Sequence, residues 1–247
     1  MKIIAVIPAR WDSERLPQKP LKGLLGKPLI QWVYEGVSAC SQVDECIVAT
    51  DHEMIYEAVR QFGGQAQMTS SQCHSGTDRI WEVVKECSDV DWVLNVQGDE
   101  PLITAQHLNF FLKELFSGPE FLMGTMAQPL SSVKALHDPH IVKVLTNQRN
   151  QAIYFSRFPI PYSRKEAPRQ NLKSLHHLGV YLFQKDFLGR FCNTEPSELE
   201  KAESLEQLRA LDLGVPIQVI RGEFDLHGVD TPEDLVLVEQ ILKKRQK

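Results

Sequence analysis

No pair among the five cysteines, Cys40, Cys46, Cys73, Cys87 and Cys192, has C-x-x-C spacing, and two of them lie within apolar periodic segments. An odd, scattered set argues for reduced thiols and against a disulfide frame or a zinc site. Long apolar runs are missing too. The first one, Ile3 to Ile7, is stopped by Pro8 and Arg10. It is too short for a membrane span and lacks the cleavage pattern of a signal peptide, so a cytosolic location is the expectation. There is no G-x-x-x-x-G-K followed by Ser or Thr anywhere, and no G-x-G-x-x-G after the first apolar run. A P-loop ATPase and a dehydrogenase both lose ground. Nor is there a surplus of positive charge. The formal net charge of -5 over 247 residues advertises no nucleic-acid partner. An acidic protein binds an acidic substrate only through local clusters of Arg and Lys, so their placement matters more than their number.

What is present is the balance of a soluble globular protein, 43% hydrophobic and 24% charged. The length suits one sizeable α/β domain or two small ones, and no low-complexity linker or internal repeat interrupts it. Residues 3–7 read as a strand buried on both faces, because they are apolar without alternation. A helix follows from Pro28, with Leu29, Val33 and Val37 on one face. Residues 45–49 give a second strand. Ile55, Ala58, Val59 and Phe62 mark a helix ended by Gly63-Gly64, and Ile80, Val83, Val84 and Cys87 another behind a Thr77 cap. Trp92 to Val96 makes a strand, and Leu108, Phe111, Leu112 and Leu115 a helix capped by Thr104. This alternation predicts the α/β class, a mostly parallel, Rossmann-like sheet with helices on both faces. Two segments, 141–146 and 151–155, flank Asn147-Gln148-Arg149-Asn150 and read as a hairpin. A strand near 178–183 and one helix over roughly 197–211 follow. Thr231, Pro232, Glu233 and Asp234 open the last helix. One domain, 1–247, with a hairpin elaboration over roughly 141–183, is the expected organisation.

Ligands of an open parallel sheet sit beyond the carboxyl ends of its strands, so the residues after each strand are the candidates. After the first strand, Arg10, Arg15 and Lys19 share one loop. Arg offers phosphate a planar fork and Lys a mobile point charge. A solvated basic loop is the plainer reading, but Pro17 and Pro20 stiffen it and lower the entropic cost of presenting those cations. After Trp92 to Val96 come Gln97-Gly98-Asp99-Glu100-Pro101. A carboxylate there suits magnesium, which takes one or two carboxylates plus phosphate oxygens and water. Asp99 and Glu100 also suit a simple turn before Pro101. Both Asp230, before the last helix, and Asp51, after the second strand, qualify as a second carboxylate, and spacing does not choose between them. His177 and Tyr181, four apart in a strand, share a face. Glu206 and Gln207 lie in a run that ordinary helix-surface charge mostly explains.

Taken together, these segments resemble the 3-deoxy-manno-octulosonate (KDO) cytidylyltransferases along essentially the whole chain. Nine blocks carry the resemblance in order. They are Ile7 to Arg10; Arg15 to Pro17 with Lys19 to Leu21; Ala49 to Asp51; Ser75 to Arg79; Asn95 to Pro101; Tyr154 to Arg157; His177 to Gly179 with Tyr181; Glu203 to Arg209; and Gly228 to Leu235. The resemblance implies a nucleotidyltransferase fold, usually dimeric, that uses CTP and Mg²⁺ to make CMP-KDO for lipopolysaccharide synthesis. It implies that Ala9, Arg10, Arg15, Lys19, Ser75, Thr77 and Arg79 bind the nucleotide. Asp99 and Asp230 would hold magnesium and act with Lys19 as the catalytic set. Gln97, Arg157, His177, Tyr181, Glu206 and Gln207 would line the sugar site. No membrane insertion and no nucleic acid belong to this picture. The chain departs from the pattern at Gln18, where the family usually has Gly. Two rivals stand beside this reading: a CMP-sialic acid synthetase, whose loop is richer in glycine and lysine, and a catalytically idle nucleotide-binding regulator.

Overall fold

Seven successive buried residues form β1 (Ile3–Ala9), and a strand covered on both faces also needs a neighbour on each edge. The computed structural model describes residues 1–12, 15–164 and 174–245. A 3-10 turn at Lys19–Leu21 and two short antiparallel strands, β2 (Gly23–Leu24) and β3 (Lys27–Pro28), follow the basic loop. Then come α1 (Leu29–Ser38), β4 (Glu45–Thr50), α2 (Glu53–Gln61), β5 (Gln65–Met68), α3 (Gly76–Val84), β6 (Trp92–Val96) and α4 (Ala105–Phe116). Strands pair in the order β6-β1-β4-β5, all parallel, with Ala5 beside Leu94 and Ile7 beside Val48. The apolar stripes of the helices, Leu29, Val33 and Val37, then Ile55 and Val59, then Ile80 and Val84, are fully buried.

Further on the chain builds β7 (Met123–Pro129), α5 (Val133–His137), β8 (Lys143–Thr146), β9 (Ala152–Ser156), β10 (Leu175–Gln184), α6 (Lys185–Cys192), α7 (Glu198–Glu203), α8 (Leu208–Asp212), β11 (Ile217–Arg221) and α9 (Pro232–Arg245). The chain divides into two compact units. The first comprises Met1–Leu112, Phe183–Cys192 and Asp225–Lys247, and the second Lys113–Leu182 and Asn193–Phe224. In the second, β11 runs parallel to β7, while β8 pairs antiparallel with β9 and with the start of β10. The fold is therefore α/β with mostly parallel pairing and flanking helices, as the alternation predicts. Among the described residues no helix is long and apolar enough to cross a membrane.

Local details differ from the expectations. Helix α3 is capped by Ser75, whose hydroxyl accepts from Asp78 N while the Asp78 carboxylate accepts from Ser75 N. Thr77 sits inside its first turn, and Cys87 lies past its end. The single helix expected over 197–211 is two, because Ser204 adopts the left-handed conformation (φ 52°, ψ 50°) after α7. Glu206 and Gln207 accordingly lie in the turn between helices rather than on a helix surface. The β8–β9 hairpin forms as expected, though part of the elaboration assigned to 141–183, at 165–173, falls outside the described residues.

Candidate active site

In the first unit, the carboxyl ends of β1 and β6 bring three chain segments together. Gly98 follows β6, and a Cβ at this position would stand 2.9 Å from the Pro8 carbonyl oxygen. Only glycine permits that approach of the two strand ends. Asp99 then accepts a hydrogen bond from Val229 N through its backbone oxygen at 2.8 Å, which draws the segment before α9 against it. Asp230 is held in turn by Asp234, whose carboxylate accepts from Asp230 N at 3.1 Å and Thr231 N at 2.9 Å. Burial opposes the Asp234 charge, but bonds from His227, the two amides and the Thr231 hydroxyl hold its pKa below the ordinary carboxylate value. Thr231 is the cap of α9, accepting from Asp234 N.

Lys19 lies at the meeting point. Its Nζ donates to Asp99 Oδ2 at 2.6 Å and to Asp230 Oδ1 at 3.0 Å, and its side chain is only 16% exposed. Burial works against the ammonium, yet the two carboxylates outweigh it and raise the pKa. Arg15 reaches the other oxygen of Asp230 at 3.0 Å. Glu100 stands beside this group with Oε2 buried and without a partner among the described residues. Burial, then the charges of Asp99 and Asp230, push its pKa up to about 8.

The remaining nucleotide-site candidates lie around the same strand ends. Ala9 closes β1, and the exposed Arg10 follows it. Trp11 stacks on His52 with ring centroids 3.7 Å apart, and Trp11 N donates to Asp51 Oδ1, fastening the start of the basic loop to the end of β4. Gly76, beside the Ser75 cap, has its Cβ direction facing Pro8 and the Gln97 amide. Gln97 donates to Asn95 Oδ1 at 3.2 Å. Arg79 is 4% exposed and its guanidinium binds Asp51 (2.6 Å), Thr69 and the Ser70 carbonyl. Asp51 is thereby paired with Arg79 and stands apart from the Asp99–Asp230 pair. It does not cap α2 either, since His52 does.

The second unit gathers the rest. The His177 and Tyr181 rings lie 5.3 Å apart on β10, and Phe155 meets His177 edge-on. The Thr125 hydroxyl donates to Val180 O at 2.8 Å, so the His177 Nε2, 3.0 Å away, carries the proton that reaches Thr125 Oγ1. Burial, assisted by the neighbouring His176, holds the His177 pKa down to about 3. Burial raises that of Tyr181, with the Glu206 charge adding to it. Gln207 is 3% exposed, and its Nε2 has no partner among the described residues. Arg157 spends one donor of each guanidinium nitrogen on the carbonyls of Glu203, Pro139 and Ser204. Sequence reasoning missed Lys143, which lies in none of the nine blocks, and gave no role at the site to Asn95, Glu203 and Asp234, which lie inside them but act on other residues.

Comparison with known proteins identifies the family of the chain. Residues 4–217 match the model of a family described as cytidylyltransferase, and the chain belongs to that family. It is 45% identical to the 3-deoxy-manno-octulosonate cytidylyltransferase of Bdellovibrio bacteriovorus, over 99% of both chains. It is 43% identical to that of Geobacter metallireducens over the full length of both. Among solved structures, a CMP:2-keto-3-deoxy-manno-octonic acid synthetase complexed with CTP superposes with a TM-score of 0.91 and 39% identity, covering 99% of this chain and all of the other. A 4-diphosphocytidyl-2C-methyl-D-erythritol synthase from Anaerococcus prevotii shares the fold, with a TM-score of 0.64 at 12% identity.

Proposed function

We propose that this protein transfers CMP from CTP to the anomeric hydroxyl of KDO, giving CMP-KDO and pyrophosphate and activating the sugar for lipopolysaccharide synthesis. The observation that carries the reading is Lys19 bridging Asp99 and Asp230 at the carboxyl edge of the sheet, in a chain that matches cytidylyltransferases end to end.

The residues fit a magnesium ion. Two carboxylates already converge on one cation, the Lys19 ammonium, and the buried Glu100 Oε2 beside them lacks a partner among the described residues. All these donors are hard oxygens, as Mg²⁺ requires. One or two carboxylates suffice for Mg²⁺ where phosphate oxygens and water complete its shell. Asp99 and Asp230 would hold it, and when bound it would supply Lewis-acid stabilisation of charge on phosphate oxygens. The chain's own cations do the rest. Arg10 and Arg15 take up charge on the triphosphate, and Lys19, released from the carboxylates, follows the charge that develops on the leaving pyrophosphate. Ser75 and Thr77 flank the nucleotide, while buried Arg79 holds Asp51 and so the start of the basic loop. The sugar hydroxyl attacks the α-phosphorus, and Arg157, His177, Tyr181, Glu206, Gln207 and Gln97 orient the acid sugar. The proposal includes a cytoplasmic location and a homodimer.

Pyrophosphate release from CTP with Mg²⁺, with KDO or sialic acid as acceptor, tests this reading. Release with KDO, absent with sialic acid and lost in Asp99→Asn, is the expected result. Release with sialic acid alone would move the substrate to the nine-carbon acid, and release with neither would remove the transferase assignment.

A further inference from the structure

Within the second unit, one carboxylate has more partners than ordinary helix-end charge needs. Glu203 closes α7, and its side chain accepts from the Ser156 hydroxyl at 2.6 Å and from Arg157 N at 2.9 Å. The Tyr154 hydroxyl bonds to it as well, and that phenol's pKa is raised by burial and then by the Glu203 charge. Its backbone oxygen accepts from Arg157 Nε at 3.0 Å. The strand end Tyr154 to Arg157 is thus fixed to the last residue of α7 by both the side chain and the backbone of one residue. From the other side Lys143, fully buried, donates to the carbonyls of Asp138, Ile141 and Arg157. The backbone of Arg157 is clamped at its amide by Glu203 and at its oxygen by Lys143. Immediately after Glu203, Ser204 turns left-handed and delivers Glu206 and Gln207.

We propose that Glu203 is a positioning residue for the acid-sugar half of the reaction: it sets Arg157 and the Glu206–Gln207 turn in one fixed relation. This rests on the reading of those three residues as sugar ligands. A carboxylate suits the task because it accepts several donors at once, and because a charged acceptor bonds them more strongly than an amide would. The proposal separates it from a packing role. Glu203→Gln keeps the shape and removes one acceptor oxygen together with the charge, so packing survives and positioning does not.

The experiment is steady-state kinetics of Glu203→Gln, with KDO and CTP varied in turn. The expected result is a KM for KDO raised by roughly ten- to a hundredfold, the scale of losing hydrogen bonds to a charged acceptor, with the KM for CTP unchanged. Unchanged kinetics for KDO, or equal changes toward both substrates, would overturn the proposal. Arg157→Lys and Gln207→Leu, measured alongside, separate the two levels. If they leave the KM for KDO untouched, the ligand reading fails and takes this inference with it. If they raise it while Glu203→Gln does not, the ligand reading stands and only Glu203 is misassigned. The double variant Glu203→Gln/Arg157→Lys is expected to cost no more than the worse single change, since both remove one arrangement, and additive costs would count against it. Should Glu203→Gln not fold, Ser156→Ala and Tyr154→Phe remove one donor each and are expected to give the same selective effect in smaller measure. Silence in both would overturn the proposal.

Discussion

Gln18 holds φ 57° and ψ 33°, the left-handed conformation, directly before Lys19. Its carbonyl accepts from Leu21 N at 2.9 Å, closing the 3-10 turn that presents the Lys19 side chain. For a residue with a Cβ this conformation costs about 1–2 kcal/mol, and glycine adopts it freely. The glycine usual at this place in the resembled family has a physical reason, and the departure here leaves the turn intact under strain. Replacing Gln18 by Gly relieves that strain but frees the unfolded chain, so the expected net gain is at most about 1 kcal/mol, read as a higher urea midpoint. A lower midpoint would mean the Gln18 side chain contributes more than the strain costs. His177 gives the second expectation at this scale. Its folded pKa is held to about 3, against an ordinary value of 6.5. Between those values the unfolded chain binds a proton that the folded chain refuses, so this contribution to stability is complete above pH 6.5 and is lost as pH falls toward 3. The difference in urea midpoint between about pH 7 and about pH 4.5 should therefore shrink in His177→Gln. An undiminished difference would place the acid sensitivity elsewhere.

Helices with a clean apolar stripe were legible in the sequence. The periodic residues of α1 and α4 are buried throughout, and the apolar runs of β1 and of β6, the latter broken only by Asn95, became parallel strands. What stayed hidden has particular causes. Strand β5 reads Gln-Ala-Gln-Met at the sheet's edge, with too little apolar surface to signal. Strand β7 carries Gly124 and Thr125 and ends in Pro129. The break after α7 depends on a single left-handed serine, and serine is seldom found in that conformation. Spacing likewise could not tell that Asp230 meets Lys19 beside Asp99 while Asp51 pairs with Arg79, an arrangement that the backbone bond from Val229 to Asp99 helps to set. At this scale the α7–α8 pair also makes an expectation. Arg209 binds Glu200 through two bonds, Nε to Oε2 at 2.8 Å and Nη2 to Oε1 at 2.5 Å, with both side chains buried. Arg209→Met leaves a buried carboxylate uncompensated and should cost about 3–5 kcal/mol. Adding Glu200→Leu removes the stranded charge and should restore most of that loss. The part not recovered, about 1 kcal/mol, belongs to the capping box Glu200 forms with Ser197. Two single losses that simply add would show that the pair is not coupled.

On the scale of the whole molecule, an acidic chain of net charge -5 handles two acidic substrates. In the proposed reading it does so by local placement, with Arg10, Arg15 and Lys19 after one strand and Arg157 after another, rather than by a basic surface. The unbalanced feature at this scale is apolar. Ile153, Phe158 and Tyr162, within one stretch of β9 and the residues after it, are 58%, 74% and 90% exposed. Aromatic and aliphatic side chains so close in sequence and so open to water are costly to leave solvated, and they are the surface that association between copies would cover. The proposed homodimer therefore makes a specific expectation. Light scattering on the purified protein should give twice the chain mass of 28.1 kDa. The double change Ile153→Lys/Phe158→Glu should shift it toward the single mass while leaving each chain folded by circular dichroism. A mass that stays doubled in the variant would move the interface away from β9. A single mass for the unaltered protein would leave these side chains without a partner of their own kind and remove the dimer from the proposal, with the catalytic reading untouched.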